Sequence, residues 1–274
     1  MLNLYPLYSS SSGNMYFIES ENSNILIDIG VSYKKVKESL NAISKETSDI
    51  DAIFITHEHS DHIKGLNLFI KNNPNVIVYS ATGTAEYLKN SLTKSKINNF
   101  NIIDISSLNN VVNIKDMTIE AFKTSHDAID PVGYKISCDD KSITIATDLG
   151  IMTNDVFSHL CSCSLPVIES NYDKDMLFAG KYPFEIKRRI AGPYGHLSNE
   201  DSGQVILKLA KNGTRDFLLS HMSENNNIPE LAKETILSTL SLSGFNTNEF
   251  NINIASKDFS SEVYVLWWTL ILFV

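Results

Sequence analysis

The sequence contains few cysteines, and their arrangement is not that of a disulfide-stabilised protein. There are 3 in 274 residues, at Cys138, Cys161 and Cys163. The number is odd, and the closely spaced Cys161 and Cys163 have no second pair with which to form a four-cysteine zinc site. We therefore expect three buried thiols.

An excess of basic residues is also missing. The chain has 23 Lys and Arg against 32 Asp and Glu, so its formal net charge is -9. This balance argues against a protein that coats nucleic acid with a broadly basic surface. A local basic patch beside bound cations stays compatible with it, because the cations themselves add positive charge.

Long hydrophobic segments and a secretory signal are absent as well. Residues 1–12 lack the basic stretch and apolar core of such a signal, which predicts a cytoplasmic protein without membrane association. The apolar segment 263–274 is shorter than the roughly 20 residues that cross a bilayer. It fits a final buried strand or an oligomer contact, and the sequence assigns it no function.

The order of predicted elements indicates an α/β fold. Helices are predicted at 32–44, 64–72, 82–91, 153–160, 173–179, 183–190, 198–211 and 229–241. Strands are predicted at 3–8, within 15–29, and at 76–79, 101–106, 111–114, 117–124, 133–138, 142–147, 164–169, 215–219 and 251–255. Two runs of strands with helices outside them favour two sheets packed face to face and covered by helices. Since no linker or repeat interrupts the pattern, we predict a single domain over 1–274.

A histidine cluster directly follows one of the apolar segments. Residues 52–56 read Ala-Ile-Phe-Ile-Thr, which is typical of a buried strand, and the next six residues contain three of the 7 histidines. In an extended turn, His57 and His59 project to one side and can bind one cation, and Asp61 and His62 can bind a second. Imidazole and carboxylate ligands suit zinc, manganese or iron. Two such cations, about 3.5–4 Å apart, form a hydrolytic site.

Three further residues occupy similar positions at the ends of apolar strands. They are His126, Asp148 and His221. A carboxylate such as Asp148 can bridge two cations with its two oxygens, which an imidazole cannot do. Taken singly, each of the three is compatible with an ordinary hydrogen-bonded or capping residue. Together with the histidine cluster, they supply the ligand types that a two-cation site still needs.

In their order along the chain, these residues resemble the metallo-β-lactamase superfamily. The signature HxHxDH followed by His, Asp and His is complete, and the resemblance covers roughly residues 1–255. It implies a four-layer αββα sandwich with the site at one edge of its two sheets. The implied ligands are His57, His59 and His126 for one cation and Asp61, His62 and His221 for the other, with Asp148 as the bridge.

Additional phrases resemble the YycJ/WalJ branch (also called VicX), which is similar to RNase Z-like phosphodiesterases. They lie at residues 9–14, 57–66, 124–127, 146–150, 169–173, 186–190 and 195–199. The resemblance implies two divalent cations, zinc or manganese, and 5′-to-3′ exonuclease action on duplex DNA. It also implies a link to a WalK/WalR-type two-component signalling system. The apolar segment after about residue 263 departs from the pattern of that branch.

Two features outside the ligand set favour a phosphodiester substrate. His196 precedes a predicted helix and is free to donate a proton to a leaving oxygen or to hold a phosphate oxygen, a role that Asp61 also fits. The alternative is a helix-cap neighbour without a role. A basic segment precedes His196 and fits either a phosphate backbone or a solvated helix face. Its residues are Lys181, Lys187, Arg188 and Arg189, with Lys64 as a weaker further candidate.

Two other functions remain compatible with the sequence. The ligand set suits a small-molecule hydrolase of glyoxalase II or lactonase type equally well, although such an enzyme does not explain His196 or the basic segment. A non-enzymatic partner of a signalling system is the second alternative, but a structural metal site needs no open coordination position. Of the other polar residues, we expect Asp127 to orient a ligating imidazole and His159 to be structural.

Overall fold

The computed structural model describes residues 1–260 and 262–266. Its α-helices are α1 (Tyr33–Ala42), α2 (Ser60–Ile63), α3 (Leu66–Asn72), α4 (Thr82–Lys94), α5 (Asn154–Cys161), α6 (Lys174–Ala179), α7 (Phe184–Ile190), α8 (Asn199–Lys211) and α9 (Pro229–Leu242). Its strands are β1 (Leu2–Ser10), β2 (Gly13–Glu19), β3 (Asn24–Ile27), β4 (Ala52–Phe54), β5 (Ile77–Ser80), β6 (Asn101–Asp104), β7 (Val111–Ile114), β8 (Met117–Lys123), β9 (Val132–Cys138), β10 (Lys141–Ala146), β11 (Leu165–Glu169), β12 (Asp216–Ser220), β13 (Asn251–Ile254) and β14 (Tyr264–Leu266).

The described strands form two mixed sheets. The first sheet has the order β14-β1-β2-β3-β4-β5-β6 and the second the order β13-β12-β11-β10-β9-β8-β7. In the first sheet, β3 to β6 run parallel to one another. In the second, β10 to β13 do so. Each sheet therefore has a parallel half, whose strands all end at the same edge.

The alternation of side chains along the strands divides the core into layers. In β3, Ile25 and Ile27 point into the cluster between the two sheets, whereas Leu26 points to the outer face of the first sheet. That outer face is covered by α1, α3 and α4, through residues such as Leu40 and Leu88. A third cluster lies between the second sheet and α5, α8 and α9. Because successive strand residues face opposite ways, both faces of each sheet are buried, and the predicted four-layer sandwich is confirmed.

The ends of the helices follow from local chemistry. At the start of α8, the Ser198 hydroxyl accepts a hydrogen bond from the Asp201 backbone N–H at 3.1 Å, which satisfies one of the free donors of the first turn. Ile206 and Leu209 of this helix are fully buried against the second sheet. The structure confirms the helix predicted at 198–211, and the spacing of its apolar residues determines which face packs on the sheet.

Two details differ from the sequence expectation or extend it. The histidine cluster contains the short helix α2, which the pattern of residues 57–62 did not predict. Within the apolar segment 263–274, Tyr264–Leu266 form the half-buried edge strand β14, which pairs with β1. Residues 267–274 lie outside the described part of the chain. Among the described helices, none has the length and apolar character that crossing a membrane requires.

Candidate metal centre

The candidate site lies where the parallel strands of both sheets end. His57 follows β4 of the first sheet, while Asp148 and His221 follow β10 and β12 of the second. His126 follows β8 by three residues. The carboxyl ends of parallel strands are the usual position of ligand sites in α/β sheets. Here two sheets bring such ends together at one edge.

The backbone turns sharply just after three strands, which are β3, β10 and β12. Asp28, Asp148 and His221 have φ angles of 60°, 55° and 52°. This left-handed region is unfavourable for residues with a β-carbon, and single residues held there cost about 1–3 kcal/mol. Surrounding contacts hold the turns: the His221 N–H, for example, donates to the Ser9 hydroxyl at 2.8 Å. This backbone conformation turns the polar side chains away from the strand direction and into the site.

The helix α2 requires a close approach that only glycine permits. A β-carbon built on Gly30 would lie 1.7 Å from the Asp61 carbonyl oxygen. The neighbouring Ile29 N–H donates to the His62 carbonyl at 2.8 Å, which fixes α2 against the end of β3. This contact determines where Asp61 and His62 point.

The structure brings all seven predicted ligands together. Four groups have ligand atoms within 4.8 Å of one another: His57, His59 and His126; Asp61, His62 and His221; His57, His62 and Asp148; and Asp148, Glu169, His196 and His221. The two oxygens of Asp148 face different imidazoles. Oδ2 lies 3.5 Å from His62 Nε2, and Oδ1 lies 3.4 Å from His221 Nε2 and 3.7 Å from His126 Nε2. Asp148 is therefore positioned between the two predicted ligand groups.

Several ligand atoms have no hydrogen-bond partner in the protein. His57 Nε2, His221 Nε2 and Asp148 Oδ2 are buried and unpaired. Most buried polar atoms in proteins are paired, so such a concentration in one place needs an explanation. A pair of divalent cations supplies it, since imidazole nitrogens and carboxylate oxygens bind metals once they are deprotonated. The residues present thus fit two cations, and their imidazole and carboxylate chemistry suits transition metals.

The pKa values of the histidines are shifted in opposite directions in the two predicted ligand groups. Burial, together with the neighbouring imidazoles, holds the pKa of His57 well below its usual range, and burial likewise lowers the pKa of His126. For His62 and His221 burial acts in the same direction, but the facing carboxylates, Asp148 foremost, outweigh it and raise the pKa of both imidazoles well above the usual value. At His62 and His221, a cation would therefore displace protons when it binds.

Asp28 orients one ligating imidazole, and sequence reasoning missed it. Its Oδ2 lies 2.7 Å from His62 Nδ1, so Nε2 of His62 is left for the cluster. The same carboxylate accepts from the Thr56 backbone N–H and the Thr56 hydroxyl, both at 2.8 Å. Burial raises the pKa of Asp28, with His62 opposing that shift. Carboxylates behind ligating histidines fix their tautomer and strengthen the metal bond.

Glu169 orients two imidazoles in the same way, and the sequence analysis did not identify it as a site residue. Its Oε1 lies 2.8 Å from His221 Nδ1 and 2.7 Å from His196 Nδ1. Burial alone would raise the pKa of Glu169, but His196 and His221 outweigh it and hold that pKa well below the usual range. Asp28 and Glu169 both stand at the end of an apolar strand, the signal that identified Asp148.

His196 lies beside the cluster, as the sequence predicted. Its ring centroid is 5.1 Å from that of His126 and 5.3 Å from that of His221. Because Nδ1 is engaged by Glu169, Nε2 is the nitrogen that remains for a substrate. By contrast, His159 lies on α5 outside the cluster, where it stacks on Phe122 and contacts the Asp155 carbonyl, in agreement with a structural role.

A cleft with a volume of about 250 Å³ opens in front of the cluster. It is lined by Ser11, His59, Asp61, His126, Asp148, Asn171, Tyr182, Ile186, Arg189, Ile190, His196, His221 and Ser223. The cleft thus combines the cluster on one side with residues of the α7 region on another.

The predicted basic segment divides into residues with different surroundings. Arg189 lines the cleft and forms an ion pair with Asp127. Lys187 instead donates to the carbonyls of Phe178 and Gly180, both at 2.7 Å, so its ammonium group is occupied within the protein. Lys181 and Arg188 are exposed and make no side-chain hydrogen bond or ion pair with the described residues. Lys64 is exposed at the end of α2.

The expectation for Asp127 needs correction. Its carboxylate is engaged by Arg189 and lies 3.4 Å from His126 Nε2, the nitrogen that faces the other ligands. The opposite nitrogen, Nδ1, contacts the Gly195 carbonyl at 3.1 Å. The backbone of Gly195, rather than Asp127, therefore orients this imidazole.

The sequence of the chain matches a known protein family. Residues 23–222 match the family model described as the beta-lactamase superfamily domain. The chain belongs to the metallo-β-lactamase superfamily. Within it, exodeoxyribonuclease WalJ of Streptococcus pneumoniae is 35% identical to this chain over 234 residues, which are 85% of this chain and 86% of that protein. Exodeoxyribonuclease YycJ of Bacillus anthracis is 31% identical over 251 residues, 90% and 92% of the two chains. The resemblance to the YycJ/WalJ branch is thereby confirmed.

A solved structure supports the fold independently of close sequence similarity. The metallo-beta-lactamase fold protein YhfI from Bacillus subtilis superposes with a TM-score of 0.70 at 16% sequence identity. The match covers 96% of this chain and 98% of that one. At this level of identity the likeness concerns the architecture alone. The superfamily typically uses two divalent metals, in agreement with the clustered ligands described above.

Proposed function

We propose that this protein is a two-metal-dependent exodeoxyribonuclease that hydrolyses duplex DNA in the 5′-to-3′ direction. Its support comes from the two relatives named as exodeoxyribonucleases, which match most of the chain, and from the composition of the cleft. The cytoplasm, where DNA is available, is the corresponding location. A link to WalK/WalR-type signalling stays a prediction from the resemblance.

The observation that carries the proposal is the pairing of His196 with Glu169 beside the ligand cluster. His196 Nδ1 lies 2.7 Å from the buried carboxylate, which fixes the orientation of the ring. Seven other residues supply the ligand types for two cations without His196, so we assign His196 to proton transfer rather than to metal binding. A phosphodiester needs such a donor because an alkoxide leaves when the phosphorus–oxygen bond breaks. A thioester hydrolase gains less from a histidine there, because a weakly basic thiolate leaves instead of an alkoxide.

The proposed ligands follow the groups found in the cluster. One cation would be held by His57, His59 and His126 and the other by Asp61, His62 and His221, with the Asp148 carboxylate between the two groups. When bound, such a pair lowers the pKa of a coordinated water and offsets charge on the phosphoryl oxygens. Five imidazoles favour zinc, whereas the carboxylates also suit manganese.

The protein side chains then have separate tasks. His196 donates its Nε2 proton to the leaving oxygen, and Glu169 holds the resulting imidazole in the orientation for reprotonation. Because Asp61 Oδ2 lies within 3.6 Å of both His62 Nε2 and His221 Nε2, we assign it to the ligand set rather than to proton transfer. Arg189, together with the exposed Lys181 and Arg188, binds phosphates along the DNA strand.

A nuclease assay with end-labelled DNA tests the proposal. Duplexes labelled at the 5′ or the 3′ end, the matching single strands and RNA are incubated with manganese, with zinc and with chelator. The Asp148→Ala variant is run in parallel, since it lacks the bridging carboxylate. We expect metal-dependent loss of duplex DNA that the variant and the chelator abolish, with mononucleotides released first from the 5′ end.

The alternatives give different results in the same assay. Degradation of RNA but not DNA would replace the proposed substrate while keeping the phosphodiesterase mechanism. If the protein holds two equivalents of metal and cleaves no nucleic acid but hydrolyses thioesters or lactones, the small-molecule hydrolase is correct. If the metal-loaded protein hydrolyses neither nucleic acids nor thioesters nor lactones, the result would favour the non-enzymatic alternative.

A further inference from the structure

The helix α7 differs from the helices that cover the sheets. None of its residues, Phe184–Ile190, is buried, although several are apolar. Phe184 is 63% exposed and Ile186 39% exposed. A helix that packs on a sheet buries its apolar stripe, as α8 does with Ile206 and Leu209. The apolar residues of α7 therefore do not serve the core.

Contacts on both sides hold α7 firmly in position. Lys187 donates to the carbonyls of Phe178 and Gly180, which ties the helix to the end of α6. At its other end, the Ile190 carbonyl accepts from the His196 backbone N–H at 2.9 Å. The position of α7 is thus coupled directly to His196, and the exposed apolar residues stand at a fixed place beside the cluster.

One face of this segment forms a wall of the cleft. Tyr182, Ile186, Arg189 and Ile190 line it, and we call these four residues the cleft wall. Ile186 and Ile190 are spaced by four residues and lie on one side of α7, and Tyr182 lies just before the N-cap residue Pro183. The Tyr182 hydroxyl accepts from Asn225 Nδ2 at 3.0 Å, which restrains the ring. The cleft therefore has a charged side at the ligand cluster and an apolar, partly aromatic side at the cleft wall.

We infer that the cleft wall binds the base of the nucleotide that flanks the scissile phosphate. A nucleotide joins a charged phosphate to a flat apolar base, and the two sides of the cleft match these two parts. Every base presents a π-face, so packing against Tyr182, Ile186 and Ile190 is independent of sequence. Arg189 contacts Asp127 through Nε, and its terminal amino groups add cationic donors for a phosphate at the wall. The inference rests on the proposed nuclease function and assigns the residues that bind the base of the substrate.

Removing the base from the substrate and the side chain from the wall gives a sharp test. Values of kcat/KM are compared for duplexes with normal or abasic nucleotides at the cleaved end, using metal-loaded wild type, Tyr182→Ala and Ile186→Ala. Stacking on an aromatic residue is worth about 5- to 100-fold in such comparisons. We expect wild type to lose about that factor on abasic ends. Tyr182→Ala should lose about the same factor on normal DNA, and Ile186→Ala, which removes an aliphatic contact, should lose less. Neither variant should lose much more on abasic DNA, because removing the base and removing the side chain abolish the same interaction.

Two variants and a metal analysis control the interpretation. Tyr182→Phe keeps the ring and should retain most of the activity, which separates packing from the hydrogen bond to Asn225. Leu242→Ala removes an apolar side chain that is 91% exposed on α9 and should behave as wild type on both substrates. Metal content is measured for each protein, and we expect two equivalents throughout.

The outcomes separate this inference from the function on which it rests. Equal wild-type rates on normal and abasic ends, or losses that simply multiply, would overturn the assignment of the wall while leaving the nuclease intact. Failure of the metal-loaded wild type to cleave any DNA would refute the nuclease proposal itself.

Discussion

At the scale of single residues, the site depends on carboxylates that contact the predicted ligands from behind. Glu169 contacts His221 and His196 through one oxygen, and its other oxygen accepts from the Leu149 and Leu197 backbone N–H groups at 3.1 and 3.2 Å. Leu149 follows Asp148, so one buried side chain joins the turn at the proposed bridging carboxylate to the proposed ligand His221 and to His196. Such shared support explains why a fully buried charge is retained there.

His196→Ala should separate catalysis from metal binding. The substitution removes the proton donor but none of the seven proposed ligands, so we expect two equivalents of metal and a loss of roughly 100-fold or more in kcat. Elemental analysis and the duplex assay measure the two quantities. His159→Ala is the matched control, since that histidine lies outside the cluster, and it should retain activity. Loss of metal from His196→Ala would identify His196 as a ligand.

Asp28→Asn should weaken metal binding without removing a ligand. Asp28 accepts from three groups, the His62 ring and two donors of Thr56, whereas asparagine replaces one acceptor oxygen by a donor. Mutation of a carboxylate behind a metal ligand typically costs about 10- to 100-fold in metal affinity. Competition with a chromophoric chelator measures the change. Asp216→Asn, at an exposed position of β12, serves as control, and wild-type affinity in Asp28→Asn would contradict the role.

The residue scale also shows the limit of sequence reasoning. His57 to His62 were recognisable because the polar cluster follows an apolar strand directly, and His126, Asp148 and His221 because each follows one too. Asp28 and Glu169 end apolar strands in the same way, yet nothing in the sequence says whose imidazole each one contacts. That depends on which strand ends meet in space, which is a property of sheet order and not of local pattern.

At the scale of elements, α7 corrects the prediction for the basic segment. The sequence grouped Lys187 with Arg188 as phosphate contacts, but Lys187 turns back to the carbonyls of Phe178 and Gly180. A charge pattern on a helix does not specify which side chains reach acceptors on the neighbouring loop. The ends of α5, α8 and α9, in contrast, were predicted closely because apolar spacing and capping residues are local signals.

The two neighbouring residues should therefore respond differently to salt. We measure duplex binding over a range of salt concentrations in the weakly active His196→Ala background. Arg188→Ala should reduce the slope of log K against log salt by about 1, as expected for one lost phosphate contact. Lys187→Ala should leave that slope unchanged and lower the melting temperature, because two carbonyls lose their donor. A reduced slope for Lys187→Ala would restore its predicted phosphate contact.

At the scale of the whole molecule, the cluster is built by both sheets. His57 and α2 extend from the first sheet, while Asp148 and His221 end strands of the second. Elsewhere the sheets meet through apolar residues such as Phe54 and Tyr134, whose rings are 5.4 Å apart. Cations in the cluster would add a connection at the edge where this apolar packing ends.

Metal removal should consequently destabilise the entire fold and not one sheet alone. We propose that the described residues fold as one domain, so calorimetry should show a single unfolding transition with and without chelator. A ligand present at 100 times its Kd stabilises by about 2.7 kcal/mol, which corresponds to a rise of about 5–10 °C in Tm for a chain of this size. Asp148→Ala should abolish most of that rise, because it removes the carboxylate between the two ligand groups. Two separate transitions, or a Tm indifferent to chelator, would contradict the coupling of the two sheets through the cluster.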